Sequence, residues 1–311
     1  MMEWALLILG LVILVKGADM FVKGASNLAG IMKVSPLIIG LTIVAFGTSA
    51  PEAAVSILAS IQRVEGIAFG NIAGSNLFNI LIILGISAVV LPIKAEGSLL
   101  KKELPFLLLS SILMLVMVLW FKPGITRIEG GILLIGFGVF LYMVFLKSEE
   151  IHTEEVVVNT TLKKTVFLTI IGLIAIAIGG FLVSTYASAL AIYYGLSEMF
   201  VGLTIVALGT SAPELTTSIV ALIKKQKDIA LGNIIGSNIF NTLFIAGMSS
   251  VIYPLTNLGN VTVDVVLIAV ASLIVFIFTF TRKTLSRTEG IILIVIYIVY
   301  VFYILSRGGL L

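Results

Sequence analysis

A chain of 311 residues in which 59% are hydrophobic and only 11% charged cannot cover a water-facing surface, since soluble domains carry about 25% charged residues. With a mean hydropathy of +1.22 it reads as an integral membrane protein, and its apolar stretches lack the period-two alternation of barrel strands, so the spans are helices. Cysteine is absent, the one histidine, His152, lies in a polar linker, and the formal net charge is only +3; this excludes disulfides and thiolate metal sites and argues against imidazole catalysis or a transition-metal centre.

Ten spans are predicted, at 4–24, 35–60, 66–91, 103–121, 127–146, 164–193, 197–222, 229–253, 261–281 and 288–306. The first lacks a basic leading segment and takes part in an internal repeat, so it is read as structure and not as a signal peptide. Lys16 and Asp19 lie three apart on it, the spacing of a local helical pair or of side chains that snorkel to an interface. Span 2 contains Gly40-Leu41-Thr42-Ile43-Val44-Ala45-Phe46-Gly47-Thr48-Ser49-Ala50-Pro51-Glu52, which puts a carboxylate, hydroxyls, a proline and glycines into an otherwise apolar segment. Span 3 contains Gly70-Asn71-Ile72-Ala73-Gly74-Ser75-Asn76-Leu77-Phe78-Asn79. Ser75 and Asn79 are four apart and share a helix face; Gly70 and Gly74 have the small-residue spacing that lets another helix approach.

The stretch Lys147–Lys164 is the most polar of the chain, with Glu149, Glu150, Glu154 and Glu155, and reads as a solvated connection. Beyond it the motifs return. Gly202–Glu214 matches the first motif at 12 of 13 positions and Gly232–Asn241 the second at 8 of 10, both 162 residues later. Arg287-Thr288-Glu289-Gly290 opens span 10 as Arg127-Ile128-Glu129-Gly130 opens span 5. Glu198 and Asp264, near the starts of spans 7 and 9, suit helix N-termini or an interface. The expected organisation is a five-helix repeat at 1–147, a cytoplasmic linker at 148–163 and a second five-helix repeat at 164–311.

Lysine and arginine set the orientation. The loops after spans 1, 3, 5, 7 and 9 hold 14 of them and the opposite face 4, which puts the odd loops in the cytoplasm and both termini outside. With five spans per half, the halves then face opposite ways. This predicts an all-α polytopic membrane protein of ten helices in two inverted repeats, with helices 2 and 7 broken, as in many secondary transporters.

Glu52 and Glu214 are the chemically costly residues. A carboxylate in the bilayer centre costs about 2.5 kcal/mol or more and demands a partner, and no basic residue occurs in spans 2, 3, 7 or 8. The remaining partners are protons or metal cations. Pro51 and Pro213 lack an N–H and release the carbonyls of Gly47 and Gly209. Thr48, Ser49, Thr210 and Ser211 add hydroxyls, and the second motif adds amides. All are hard oxygen donors, suited to calcium and alkali ions, and two carboxylates balance one divalent ion. Glycines and serines used for packing alone would leave the recurrence of amides and hydroxyls unexplained. A carboxylate-dyad intramembrane protease calls for Asp in place of Glu, and a channel with a Glu ring needs no symmetric broken helices.

On these residues the sequence resembles the calcium/cation antiporter superfamily, whose two α-repeats carry G-T-S-A-P-E, here Gly47–Glu52 and Gly209–Glu214, and G-N-x-x-G-S-N, here Gly70–Asn76 and Gly232–Asn238. The resemblance covers nearly the whole chain and looks like a prokaryotic or archaeal sodium/calcium exchanger without a large cytosolic calcium-sensing loop. It implies that Glu52 and Glu214 bind calcium and share the site with sodium. Thr48 and Thr210, with the carbonyls of Ala45 and Ala207, would complete the coordination; Ser75 and Ser237 would serve outer sodium sites, and Asn79 and Asn241 the middle one. Spans 1 and 6 would slide past the other eight. Proton-coupled relatives carry Glu-His where this chain has Gly74-Ser75 and Gly236-Ser237, which favours sodium over the alternative of proton/calcium exchange. Potassium-dependent relatives carry aspartate where this chain has Asn241, so no potassium cotransport is expected. The reading is a monomeric sodium/calcium antiporter of the cell membrane, with no enzymatic activity, no cofactor and no nucleic-acid partner.

Overall fold

The computed structural model describes residues 2–94, 97, 99–120, 124–146, 160–194, 207–256, 258 and 261–307. The linker with His152, and the start of span 7 with Glu198 and Gly202–Val206, lie outside them. The described chain is helical apart from two short antiparallel pairings. In chain order the elements are α1 (Met2–Met32), α2 (Pro36–Ile39), a π-helical turn Gly40–Val44, α3 (Ala45–Thr48), α4 (Ala50–Ile61), α5 (Glu65–Leu77), a π-helical turn Phe78–Ile83, α6 (Leu84–Val90), β1 (Ile93–Lys94), a π-helical turn Leu99–Glu103, α7 (Leu104–Trp120) and α8 (Arg127–Leu146). The second half has α9 (Leu162–Tyr193), α10 (Ala207–Thr210), α11 (Ala212–Ile223), α12 (Lys227–Ile239), a π-helical turn Phe240–Ile245, α13 (Ala246–Ile252), α14 (Thr262–Arg282), β2 (Thr284–Leu285) and α15 (Arg287–Arg307).

Among the described residues 8 helical stretches are long and apolar enough to cross a membrane, and 9 if Pro36–Thr48 and Ala50–Ile61, which meet at 49°, are one bent span. Ala212–Ile223 is a shorter apolar helix. The protein is therefore a multi-pass membrane protein. The 31 residues of α1 run about 46 Å at 1.5 Å per residue, longer than the roughly 30 Å hydrocarbon core, so this helix tilts or projects.

Helix starts follow local rules. Ser35 accepts from the Ile38 N–H at 3.4 Å and Pro36 follows it, a side-chain cap with proline at the first helical position. The Arg-x-Glu-Gly segments hold reciprocal capping boxes. Glu129 Oε2 accepts from the Thr126 N–H and hydroxyl, both at 2.7 Å, and Glu289 Oε2 accepts from the Ser286 N–H at 2.7 Å and hydroxyl at 2.8 Å.

The chain forms two compact units, and each draws on both sequence halves. One comprises Met1–Ser49, Val144–Ile234 and Ile298–Leu311; the other comprises Ala50–Met143 and Ile235–Tyr297. The first unit is built on an antiparallel pairing of α1 with α9. Glycines at positions 10, 17 and 24 recur every seventh residue and meet Leu182, Ala175 and Thr169 in turn. Gly172 and Gly179 return the contact: a Cβ at Gly172 would lie 2.5 Å from the Phe21 nitrogen, and one at Gly179 2.6 Å from that of Leu14. Only glycine permits backbones this close. Asp19 does not pair with its neighbour Lys16, as the spacing suggested. It reaches Lys224, at the end of α11, at 2.7 Å, because one turn of spacing on a single helix does not outweigh a cation supplied by a packed neighbour.

The second unit shows reciprocal contacts between the halves. Ile93 pairs with Leu285 across β1–β2, and Ile125 pairs with Leu255; Leu255 is the repeat counterpart of Ile93. Gly85 lies against Gly290, and Gly130 against Gly247, again related by the repeat. Ser111 and Ser272, at corresponding places on α7 and α14, bond to each other at 2.9 Å. Asp264 stands in the first turn of α14, the helix N-terminus that its place near a span start suggested, and is buried there.

Candidate cation-binding site

The break in each first motif falls at a serine. Ser49 has φ −85° and ψ 6°, Ser211 φ −87° and ψ 4°, the sparsely populated bridge region where many functional residues sit. The following Ala-Pro restarts a helix, so Glu52 and Glu214 stand in the first turns of α4 and α11, and each is at most 1% exposed. The two carboxylates belong to different compact units, and each has its own surroundings.

In the first unit Glu214 Oε1 accepts from the Ser49 hydroxyl at 2.8 Å. The Thr48 hydroxyl donates to Asn233 Oδ1 at 2.8 Å, with the carbonyls of Val44 and Ala45 as alternative acceptors at 3.1 and 3.3 Å. The Asn233 amide donates to Ser218 Oγ at 2.9 Å and to the Glu214 carbonyl at 3.3 Å. Asn233 thus ties the first motif of one repeat to both motifs of the other. Close backbone approach makes this possible: a Cβ at Gly232 would stand 2.6 Å from the Leu37 carbonyl oxygen and 2.7 Å from Gly40 Cα. At Gly70, its counterpart, nothing among the described residues lies within 4 Å. The Ala45 carbonyl also accepts from the Ser49 N–H at 3.0 Å. Thr210 ends α10, with Ser211 buried at the break. Ala207 opens α10.

In the second unit Asn71 repeats the role of Asn233. Its amide donates to Ser56 Oγ at 2.9 Å and to the Glu52 carbonyl at 3.1 Å. Asn76 donates to Thr242 at 3.0 Å. Ser75, Asn79, Ser237 and Asn241 are all completely buried. Asn79 and Asn241 occupy equivalent places in the two π-helical turns Phe78–Ile83 and Phe240–Ile245. π-turns inside α-helices frequently mark functional positions.

The motif reading did not assign the hydrogen bonds that Asn71 and Asn233 make to Ser56 and Ser218 and to the glutamate carbonyls. Their signal was present: a serine follows each glutamate by four residues, on its helix face, and each asparagine is the second residue of the second motif.

Several buried polar atoms make no hydrogen bond. Among the described residues they include Glu214 Oε2, both amide atoms of Asn79 and of Asn241, and Ser237 Oγ. Buried polar groups in folded proteins are almost always paired, and an unpaired buried carboxylate oxygen is the costliest kind. These atoms are hard donors of the kind that bind calcium and alkali cations.

The family model described as sodium/calcium exchanger protein matches residues 2–146 and 164–306. A putative antiporter, CaxA, of Alkalimonas amylolytica is 36% identical over 96% of this chain and 97% of its own length. The sodium/calcium exchanger MaX1 of Methanosarcina acetivorans is 33% identical over 97% and 99%. A solved structure of the sodium-calcium exchanger NCX_Mj superimposes with a TM-score of 0.85 at 32% identity, covering 96% of this chain and 97% of that one. The chain belongs to the sodium/calcium exchanger protein family, a family of membrane exchangers and not of enzymes.

Proposed function

We propose that the chain is a secondary antiporter that exchanges sodium for calcium by alternating access, with Glu52 and Glu214 as the charged ligands of both loads. The observation that carries this reading is the buried carboxylate oxygen Glu214 Oε2, which makes no hydrogen bond while Oε1 takes the Ser49 hydroxyl. Thr48, Thr210, Ser49, Ser211, Ser75, Ser237, Asn79, Asn241 and the carbonyls of Ala45 and Ala207 supply neutral oxygens. Because both ions use the same carboxylates, their occupancy is mutually exclusive, and the differential affinity of the protein's states for the two loads couples their movements.

Ten spans in two inverted repeats are the architecture of this reading. The reciprocal contacts Gly85–Gly290 and Gly130–Gly247 support it, because a two-fold relation between halves requires each contact to recur with its partners exchanged. The lysine and arginine bias supports a cytoplasmic linker and external termini in the cell membrane. Sodium is favoured as the coupling ion by Gly74-Ser75 and Gly236-Ser237, which offer no titratable group where proton-coupled relatives have one. Calcium-45 uptake into proteoliposomes, with sodium, potassium and proton gradients imposed one at a time, tests the assignment. Uptake is expected to follow the sodium gradient alone. Uptake that ignores sodium and follows protons contradicts it.

A further inference from the structure

Within the second unit a polar seam leaves Glu52 along α4. Glu52, Ser56 and Ser60 are four residues apart, so they share one helix face, and all three are buried. That helix packs on α5 and on α13. Ser56 takes the Asn71 amide at 2.9 Å, whereas Ser60 Oγ makes no hydrogen bond. On α13, the Ser250 hydroxyl turns back to the Ala246 carbonyl at 2.6 Å, whereas the buried Ser249 Oγ has no partner.

The ends of these two helices are in register. The Arg63 guanidinium lies over the Tyr253 ring at 5.5 Å, and the Thr256 N–H donates to Glu65 Oε2 at 2.7 Å. Ser60 precedes Arg63 by three residues and Ser249 precedes Tyr253 by four, so each hydroxyl stands in the last turn of its helix, about one turn before that contact. Two contacting helices therefore each carry a buried hydroxyl, unbonded among the described residues, about one turn before the Arg63–Tyr253 contact.

We propose that Ser60 and Ser249 line a subsite for a small alkali cation of sodium's kind, lying between Glu52 and the face marked by Arg63 and Tyr253. The inference rests on the exchange reading above. The seam leads to a carboxylate, and the nearby Arg63 guanidinium is engaged with the Tyr253 ring. Its neutral hydroxyls suit a monovalent ion, while calcium sites depend on carboxylates. The repeat-related series lacks one of the two hydroxyls: it runs Glu214, Ser218 and Leu222, with the buried leucine standing where Ser60 stands, while Ser87, the counterpart of Ser249, keeps its hydroxyl. The sodium dependence at the two membrane faces must then differ.

The test uses the full chain in vesicles of both orientations. Ser60→Ala and Ser60→Leu should raise the half-saturating sodium concentration on the Arg63 face about tenfold, as expected for losing one ligand to a charged group, and leave the opposite face and half-saturating calcium unchanged. Thallium(I) soaked into crystals should give an anomalous peak beside Ser60 Oγ that Ser60→Ala removes. An unchanged sodium dependence, an equal change at both faces, or density there for water alone overturns the subsite. Wild-type vesicles that move no calcium against sodium would instead refute the exchange reading, and the thallium peak still reads the subsite by itself.

Discussion

Asn233 holds Thr48, Ser218 and the Glu214 backbone at once. Its orientation follows from those partners, since only the nitrogen can donate to Ser218 and the Glu214 carbonyl, leaving the oxygen for the Thr48 hydroxyl. Asn233→Ala strands buried groups, each costing about 1–3 kcal/mol, and frees the turn that carries Glu214. Thermal unfolding of the purified variant should show lowered stability, and calcium flux should fall further than the remaining folded fraction explains. A variant that loses stability but keeps full exchange per folded molecule would make Asn233 a structural residue only. Asn71 should behave alike through Ser56 and Glu52. The glutamates, hydroxyls and amides at this scale were legible as residue types in a repeated motif. The division of labour among the asparagines was not, because a buried amide that supports a ligand and one that serves as a ligand look identical in sequence. Asn71 and Asn233 are bonded, while Asn79 and Asn241 have unbonded amides.

At the scale of elements, the α1–α9 pairing makes a sharp prediction. A side chain at Gly172 must displace the Phe21 backbone, which stands 2.5 Å from where its Cβ would be. Overpacking of this kind costs about 1–3 kcal/mol or more. Gly172→Val is expected to lower thermal stability and exchange together, while Gly131→Val, where no described atom lies within 4 Å, should be neutral in the same assays. Equal behaviour of the two variants would contradict the close approach. The 8 long apolar helices among the described residues were legible because about 20 apolar residues suffice to define a span, and the break at Ser49 was legible from Ser-Ala-Pro. The π-helical turns were not, since an i→i+5 hydrogen bond has no residue signature. Nor were helix ends at Lys33, Arg63, Lys225 and Lys283, all with φ between 52° and 62°, where glycine is the usual residue.

At the scale of the whole molecule, the repeat offset shrinks along the chain, from 162 residues at the motifs to 161 between Ser111 and Ser272 and 160 between Arg127 and Arg287. The lost residues fall between spans, so the helices keep their correspondence. The compact units cut across this repeat, a division that linear sequence does not disclose because it depends on which helices pack together. Arg63 and Lys225 are repeat counterparts with the same φ of 62°. In an inverted repeat they belong on opposite membrane faces. The chain has no native cysteine, so Arg63→Cys and Lys225→Cys can be labelled singly in intact cells by an impermeant thiol reagent. Labelling of Arg63→Cys from outside and of Lys225→Cys only after permeabilisation is expected; labelling of both from one side contradicts the inversion.

The most direct test of cation ligation by the two glutamates is equilibrium calcium-45 binding to the purified protein, with and without sodium. Wild type is expected to bind calcium and to release it as sodium rises, and both Glu52→Gln and Glu214→Gln are expected to abolish sodium-displaceable binding while remaining folded. Calcium binding and sodium displacement that persist unchanged in folded Glu214→Gln would contradict the account.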